Sequence, residues 1–204
     1  PLFYSLYLSF NDYSVIGSEP PKWVALENYE KILTSERQRY WHNFTVTGRY
    51  ALLSVGLQIV IGFGLAMLLR EKFRGSGLIT TLILIPMMVS PVVVGLFWKL
   101  IFDPSKGFFN YLIYMNPRGG AQWLSDATLG LWSIVIVDVW MWSPFVMLLC
   151  LSGLSAIPDY LYEAAAIDRA SAWFQFRRIT LPQVMPLLLI SVLLASMATA
   201  ATGP

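Results

Sequence analysis

YALLSVGLQIVIGFGLAMLL, residues 50–69, is twenty residues without a charge. A helix crossing the hydrocarbon core of a bilayer needs about 20 mostly apolar residues, and this stretch has that length. It has company. Gly75–Trp98 is 24 residues without a charge, Ile179–Pro204 is 26, and Ala127–Pro158 is broken only by Asp138. Pro1–Asn11 is apolar but too short to span, and it reads as the tail of a helix whose start is missing. Runs such as LQIVIGFGLAMLL and LITTLILIP are continuous, whereas a transmembrane barrel is written in segments of about 10 residues that alternate strictly. Helices satisfy their own backbone in lipid. The expected fold is therefore all-α: a polytopic helical membrane protein with about five spans visible, the first partial, in a single domain over 1–204. The chain begins with Pro1 rather than Met, so a fragment or trimmed chain is expected.

Composition narrows the function. Only 13% of the 204 residues are charged and 56% are hydrophobic, against about 25% charged in an ordinary soluble domain. Fourteen Lys and Arg against twelve Asp and Glu give no basic surplus for neutralising phosphates, which argues against a nucleic-acid partner. Cys150 is the single cysteine and His42 the single histidine, so neither an internal disulfide framework nor a Cys/His metal site is expected. There is no G-x-x-x-x-G-K-[ST] phosphate loop and no G-x-S-x-G elbow. The chain reads as a non-enzyme with no cofactor and no catalytic residues of its own.

Four polar connections join the apolar stretches. Asp12–Asn43 contains the Pro20-Pro21 turn signal and a short helical pattern, LENYEKIL. Arg70–Gly77 is a tight loop with Arg70, Lys72 and Arg74. Asp103–Asp126 carries DPSKG and NPRGG around FFNYLIYM, which is too short to span and is expected at the interface. Ser152–Pro182 is the long one, of mixed charge and rich in helix formers. Two spans separate Arg70–Gly77 from Ser152–Pro182, which puts them on one side. Each side then holds six Lys/Arg in its loops. The density of Arg70, Lys72 and Arg74 at the span ends favours their side as cytoplasmic.

Ser152–Pro182 reads SGLSAIPDYLYEAAAIDRASAWFQFRRITLP. Pro158 suits a first helical position, and Asp159 then falls in the first turn, where the helix dipole favours a carboxylate. Ala164, Ala165 and Ala166 let another surface approach closely. Trp173, Phe174, Phe176 and Ile179 follow at roughly helical spacing, and Pro182 and Pro186 mark the next span. Two short helices across the bundle end are expected. From the residues alone they are equally a cover for that end or a docking surface.

Glu163 to Pro182 resembles the EAA loop of ABC-importer permease subunits: E-A-A-x-x-D-G-A, a spacer containing Phe, then I-x-L-P. Glu163, Ala164, Ala165, Asp168, Ala170, Phe176, Ile179, Leu181 and Pro182 stand at the matching places. LENYEKIL, LILIPMMVSPVVVGLFWKLIF and VDVWMWSPFVMLLCLSGLSAIPDYLYEAA resemble the carbohydrate, maltose-type branch, so the similarity covers nearly the whole chain. The resemblance implies a multi-pass permease of the bacterial inner membrane that forms a path for a sugar or related polyol. It implies a second permease subunit, two cytoplasmic ATP-binding subunits and an extracytoplasmic solute-binding protein as partners. It also implies that 159–181 is the cytoplasmic coupling loop, with Glu163, Ala164, Ala165, Asp168, Arg169, Ala170, Ile179, Leu181 and Pro182 at the ATPase contact. Arg169 stands where the pattern has Gly. If the chain turns there with φ > 0, Arg costs on the order of 1 kcal/mol more than Gly; otherwise the first loop helix runs on through it. An amino-acid or peptide importer of the same fold, and a membrane scaffold or receptor without transport, are the alternative readings.

Asp138 lies near the middle of its span in SIVIVDVWMWSPF. A carboxylate at that depth costs roughly 2.5–3.5 kcal/mol unless it is paired or faces water. Asp138 and Trp142 are therefore candidates for the solute path, because a carboxylate beside an aromatic face suits a sugar. The alternative is a structural pair between Asp138 and Lys99 or Arg49. Pro86, Pro91 and Pro144 are expected to kink their spans.

Overall fold

The computed structural model describes residues 2–13, 20–34, 37–71, 73–114 and 120–202. The chain divides into two compact units, the first ending at Arg49 and the second starting at Tyr50.

In the first unit, α1 (Leu2–Ser9) leads into a two-residue hairpin, β1 (Asn11–Asp12) antiparallel to β2 (Lys22–Trp23), followed by α2 (Glu27–Leu33). The hairpin was not legible in the sequence. It is held by polar side chains: buried Asn11 donates Nδ2–H to the Tyr7 carbonyl at 2.6 Å, and Asn28 donates to the carbonyls of Ser9 and Asn11, both at 3.0 Å. Phe10 stacks on Trp23 with centroids 5.6 Å apart. The helix expected in LENYEKIL is α2, and an exposed Glu27–Lys31 pair at 2.8 Å spans one of its turns.

α3 runs from Arg37 to Leu69. Its 33 residues rise about 50 Å at 1.5 Å each, more than the hydrocarbon core of about 30 Å. In the second unit it is followed by α4 (Ser76–Met88), α5 (Pro91–Ile101), α6 (Phe108–Tyr114) and α7 (Ala127–Ser155). Then come α8 (Tyr160–Ile167), α9 (Ala172–Gln175), a π-helical turn (Phe176–Thr180) and α10 (Leu181–Thr202). Among the described residues, three helical stretches are long and apolar enough to cross a membrane: Arg39–Leu69, Thr128–Ser155 and Ala172–Thr199.

Gly75–Trp98 is not the single straight span that its apolarity suggests. α4 and α5 meet at 96° across Val89 and Ser90. The ring of Pro91 clashes with a helical conformation at the residue before it, and Ser90 is extended at φ −59°, ψ 135°. Pro91 then opens α5 at the first helical position, where its missing N–H costs nothing. Thirteen and eleven residues rise about 20 and 17 Å, so neither arm spans alone. Pro86, Pro144 and Pro186 lie inside α4, α7 and α10, which continue past them.

The core of the second unit gathers Ala66 and Leu69 of α3, Met147, Cys150 and Leu154 of α7, and Val184 and Leu188 of α10. α3 and α7 approach so closely that a Cβ on Gly62 would lie 2.6 Å from the Val146 Cβ and 2.8 Å from the Ser143 carbonyl oxygen. Beyond α5 the chain turns on Asp103, whose Oδ1 accepts the backbone N–H groups of Ser105 and Lys106 at 2.8 Å each. These bonds, that of Lys106 foremost, hold its carboxyl below the usual range. α6 is the FFNYLIY part of the FFNYLIYM segment, whose Met115 lies outside the described residues. Asn110 is buried and ties it to the Ala121 carbonyl at 3.2 Å and to the Trp123 indole N–H at 2.7 Å, while Phe108, Tyr111, Leu112 and Ile113 are exposed, as suits an interfacial helix. Asp126 caps α7 by accepting from Thr128 N–H and Leu129 N–H.

Candidate functional site

Two groups of residues stand out: the loop between α7 and α10, and a polar cluster inside the spans.

α8 begins later than expected. Asp159 precedes it with helical backbone angles and makes no side-chain cap bond. The helix is sided. Leu161 and Tyr162 pack against the core, and Ala165 is buried beneath it. Tyr160, Glu163, Ala164 and Ile167 are exposed, Ile167 by 82%. Their spacing of i, i+3, i+4, i+7 is one helical face. Glu163 and Asp168 are both exposed, but they play different backbone roles: Glu163 is in the first turn of α8 and Asp168 is its C-cap.

Arg169 is in the left-handed region at φ 54°, so α8 does not run through it. The Arg169 N–H donates to the Ala166 carbonyl at 3.0 Å and the Ala170 N–H to the Ala165 carbonyl at 2.9 Å. This is the Schellman pattern, which normally places Gly where Arg169 stands. The chain pivots, Ser171 Oγ accepts from Phe174 N–H at 3.3 Å, and Gln175 Nε2 donates to the Ala170 carbonyl at 3.0 Å.

The second loop helix is not a separate body. α9 passes through the π turn into α10 as one helical rod, Ala172–Thr199. The Leu181 N–H reaches back five residues to the Phe176 carbonyl. The cause is local: Pro182 has no N–H, and its ring clashes with the carbonyl four residues earlier in a tight helix, so the turn before it widens. Ile179 and Leu181 are half-buried, Pro182 is exposed and Thr180 is buried. Trp173 and Phe174 face outward, and Phe176 lies between Trp173 and Phe63 at 5.5 and 6.1 Å.

Arg70 at the end of α3 holds its guanidinium 4.1 Å above the Tyr162 ring. The Arg70–Gly77 loop and α8 therefore share one end of the bundle, as the span count required.

Asp138 is 6% exposed on α7. Its Oδ2 accepts Gln58 Nε2–H from α3 at 2.9 Å and Thr199 Oγ1–H from α10 at 3.0 Å. Those donors are neutral. Lys99 and Arg49, the partners considered from sequence, do not supply them, and both are exposed. Asp138 also lines a cavity of about 550 Å³ shared with Tyr50, Trp98, Lys99, Ser133 and Met141. Aromatic side chains on the same cavity wall are Tyr50, Trp98 and Phe102, and Trp98 meets Trp140 edge-on at 5.5 Å. Trp142 lies off the cavity wall, half-buried, with its indole N–H unpartnered. The Trp98 N–H, Ser54 Oγ and Gln58 Oε1 are also buried without partners. Gln58 and Thr199 could have been noticed as polar residues inside apolar runs, but nothing in the sequence aims them at Asp138.

A sided bundle of long apolar helices, with a buried polar cluster inside and a structured loop at one end, defines a polytopic membrane protein of the permease type. Residues 58–202 match the binding-protein-dependent transport system inner membrane component family, and the chain belongs to that family. It is 39% identical over 192 residues to the probable ABC transporter permease protein y4oQ of Sinorhizobium fredii, covering 94% of this chain and 61% of the relative. To the trehalose/maltose transport system permease protein MalF of Thermococcus litoralis it is 34% identical over 195 residues, covering 95% and 65%. The trehalose transport system permease protein SugA of Mycobacterium tuberculosis is 32% identical over 194 residues, 95% of this chain and 61% of the relative. The chain thus spans 61% to 65% of the length of these relatives. A crystal structure of a bacterial ABC transporter involved in the import of the acidic polysaccharide alginate shares the fold. Its TM-score is 0.72 at 20% identity, over 95% of this chain and 65% of that one.

Proposed function

We propose that this chain is the transmembrane subunit of a bacterial ABC importer, that it forms part of the path for a sugar or related polyol, and that it couples that path to ATP hydrolysis by partner subunits. The observation that carries the reading is the exposed face of α8, with Glu163 and Ala164 presented between Tyr160 and Ile167. A small, sided helix standing off the bundle end suits a groove on a cytoplasmic ATPase. Closure of two ATP-binding subunits would push α8 and shift the spans between outward- and inward-open states, in partnership with a second permease subunit. An extracytoplasmic binding protein would deliver the solute. Coupling of this kind needs an element with two states, biased by a partner at one end and a ligand at the other. The carbohydrate class is supported by relatives named for trehalose/maltose and trehalose transport. Asp138, with Trp98 on the same cavity wall, is the solute-facing candidate; Trp142, also proposed for the path, would have to turn toward the solute in another state.

The test is reconstitution of the full-length permease pair with its ATPases and loaded binding protein. Glu163→Lys reverses the charge on the outward face of α8 without touching its buried side. It is expected to abolish solute-stimulated ATP hydrolysis or to prevent assembly. Wild-type uptake and wild-type stimulation in that variant would exclude α8 as the ATPase contact.

A further inference from the structure

We infer that Tyr162 is the positioning residue through which α8 moves the two spans that hold Asp138. The inference rests on the proposed function above and adds to it the route by which the motion travels. Three elements meet on this side chain. Its hydroxyl lies 2.9 Å from Thr180 Oγ1 at the base of α10, and its ring lies 4.1 Å beneath the Arg70 guanidinium at the end of α3. Tyr162 itself belongs to α8. The rest of the buried side of α8, Leu161 and Ala165, is apolar, and apolar contacts are non-directional. The Tyr162–Thr180 hydrogen bond is directional and part-buried, with Tyr162 half-buried and Thr180 2% exposed.

The same two spans converge again further along. Gln58 of α3 and Thr199 of α10 both donate to the Asp138 carboxylate. Gln58 is twelve residues from Arg70 and Thr199 nineteen from Thr180, about 18 and 28 Å along their helices. Rigid helices with discrete packing carry coupling over such distances. Thr180 is also the last residue of the π turn, and π turns are places where helices bend and where functional residues collect. A pull on Thr180 therefore acts on α10 where the helix is already widened. A shift of α8 would turn α10 and α3 together, and the grip of Gln58 and Thr199 on Asp138 would change with them.

The experiment uses the complete reconstituted complex, and reads solute moved per ATP hydrolysed together with membrane yield. Tyr162→Phe removes only the hydroxyl and leaves the ring under Arg70. Thr180→Val removes the other partner at nearly constant shape, and Thr180→Ser restores a hydroxyl. Tyr162→Phe and Thr180→Val are each expected to lower the ratio about fivefold or more while yield is kept. The double variant should be no worse than either single, because both remove one bond, and Thr180→Ser should stay near wild type. A wild-type ratio in Tyr162→Phe overturns the inference, as does a loss of yield and both activities in proportion. A wild-type complex that neither takes up solute nor binds ATPases would instead overturn the proposed function itself.

Discussion

Arg169 occupies a left-handed position where a side chain is strained, and it does so at the pivot of the loop between α7 and α10. Only Gly adopts that conformation without a Cβ clash. Arg169→Gly should therefore raise the stability of the loop by about 1 kcal/mol, read as slower amide exchange over α8 and a higher unfolding midpoint of the purified chain. An unchanged midpoint would mean that the guanidinium offsets the strain through contacts of its own. Asp138 gives a second prediction at this scale. Asp138→Asn keeps an acceptor for Gln58 and Thr199, so membrane yield should hold while solute uptake falls. Asp138→Leu strands both donors, which typically costs about 1–3 kcal/mol each, and yield should fall. Since the bonds on Oδ2 come from neutral side chains, Lys99→Met is not expected to rescue that loss. Rescue by Lys99→Met would restore the ion-pair reading.

Gly62 decides how closely α3 and α7 pack. An added methyl there meets backbone as well as side chain, and backbone does not yield as a rotamer does. Gly62→Ala should cost about 1–3 kcal/mol, the usual range for overpacking, whereas Gly56→Ala on the same helix, with open space around it, should not. Comparing the thermal midpoints of the two variants in one detergent checks this. The bend between α4 and α5 and the π turn before α10 share a cause. Both are made where a proline denies the preceding backbone its ordinary helical geometry. The outcomes differ because Pro91 opens a new helix after an extended Ser90, while Pro182 sits within a continuing rod that widens to admit it.

At the scale of the whole molecule, the proposed function fixes which end of the bundle faces the cytoplasm. A cysteine at exposed Ala172, with buried Cys150 replaced by Ala, should react with an impermeant thiol reagent in inside-out vesicles and not in intact spheroplasts. Labelling from the outside would overturn both the orientation and the coupling role of α8. The apolar runs pointed by themselves to a helical, membrane-embedded chain, because four windows of at least 20 residues almost free of charge are more than a soluble core needs and match the length of membrane spans. The E-A-A string determined in the same way where the loop lies and which family to expect, since it is a local pattern. What the tertiary structure decided is everything that depends on facing. Periodicity cannot say which neighbour a polar residue meets when every face of the helix is apolar, so the pairing of Asp138 with Gln58 and Thr199 was hidden, as was the choice of Trp98 over Trp142 for the cavity wall. The turn at Arg169 was posed by the sequence as an alternative, and the backbone bonds of Ala165 and Ala166 answered it. The Tyr162–Thr180 contact joins residues 18 apart, and it exists only because α8 folds back onto the base of α10.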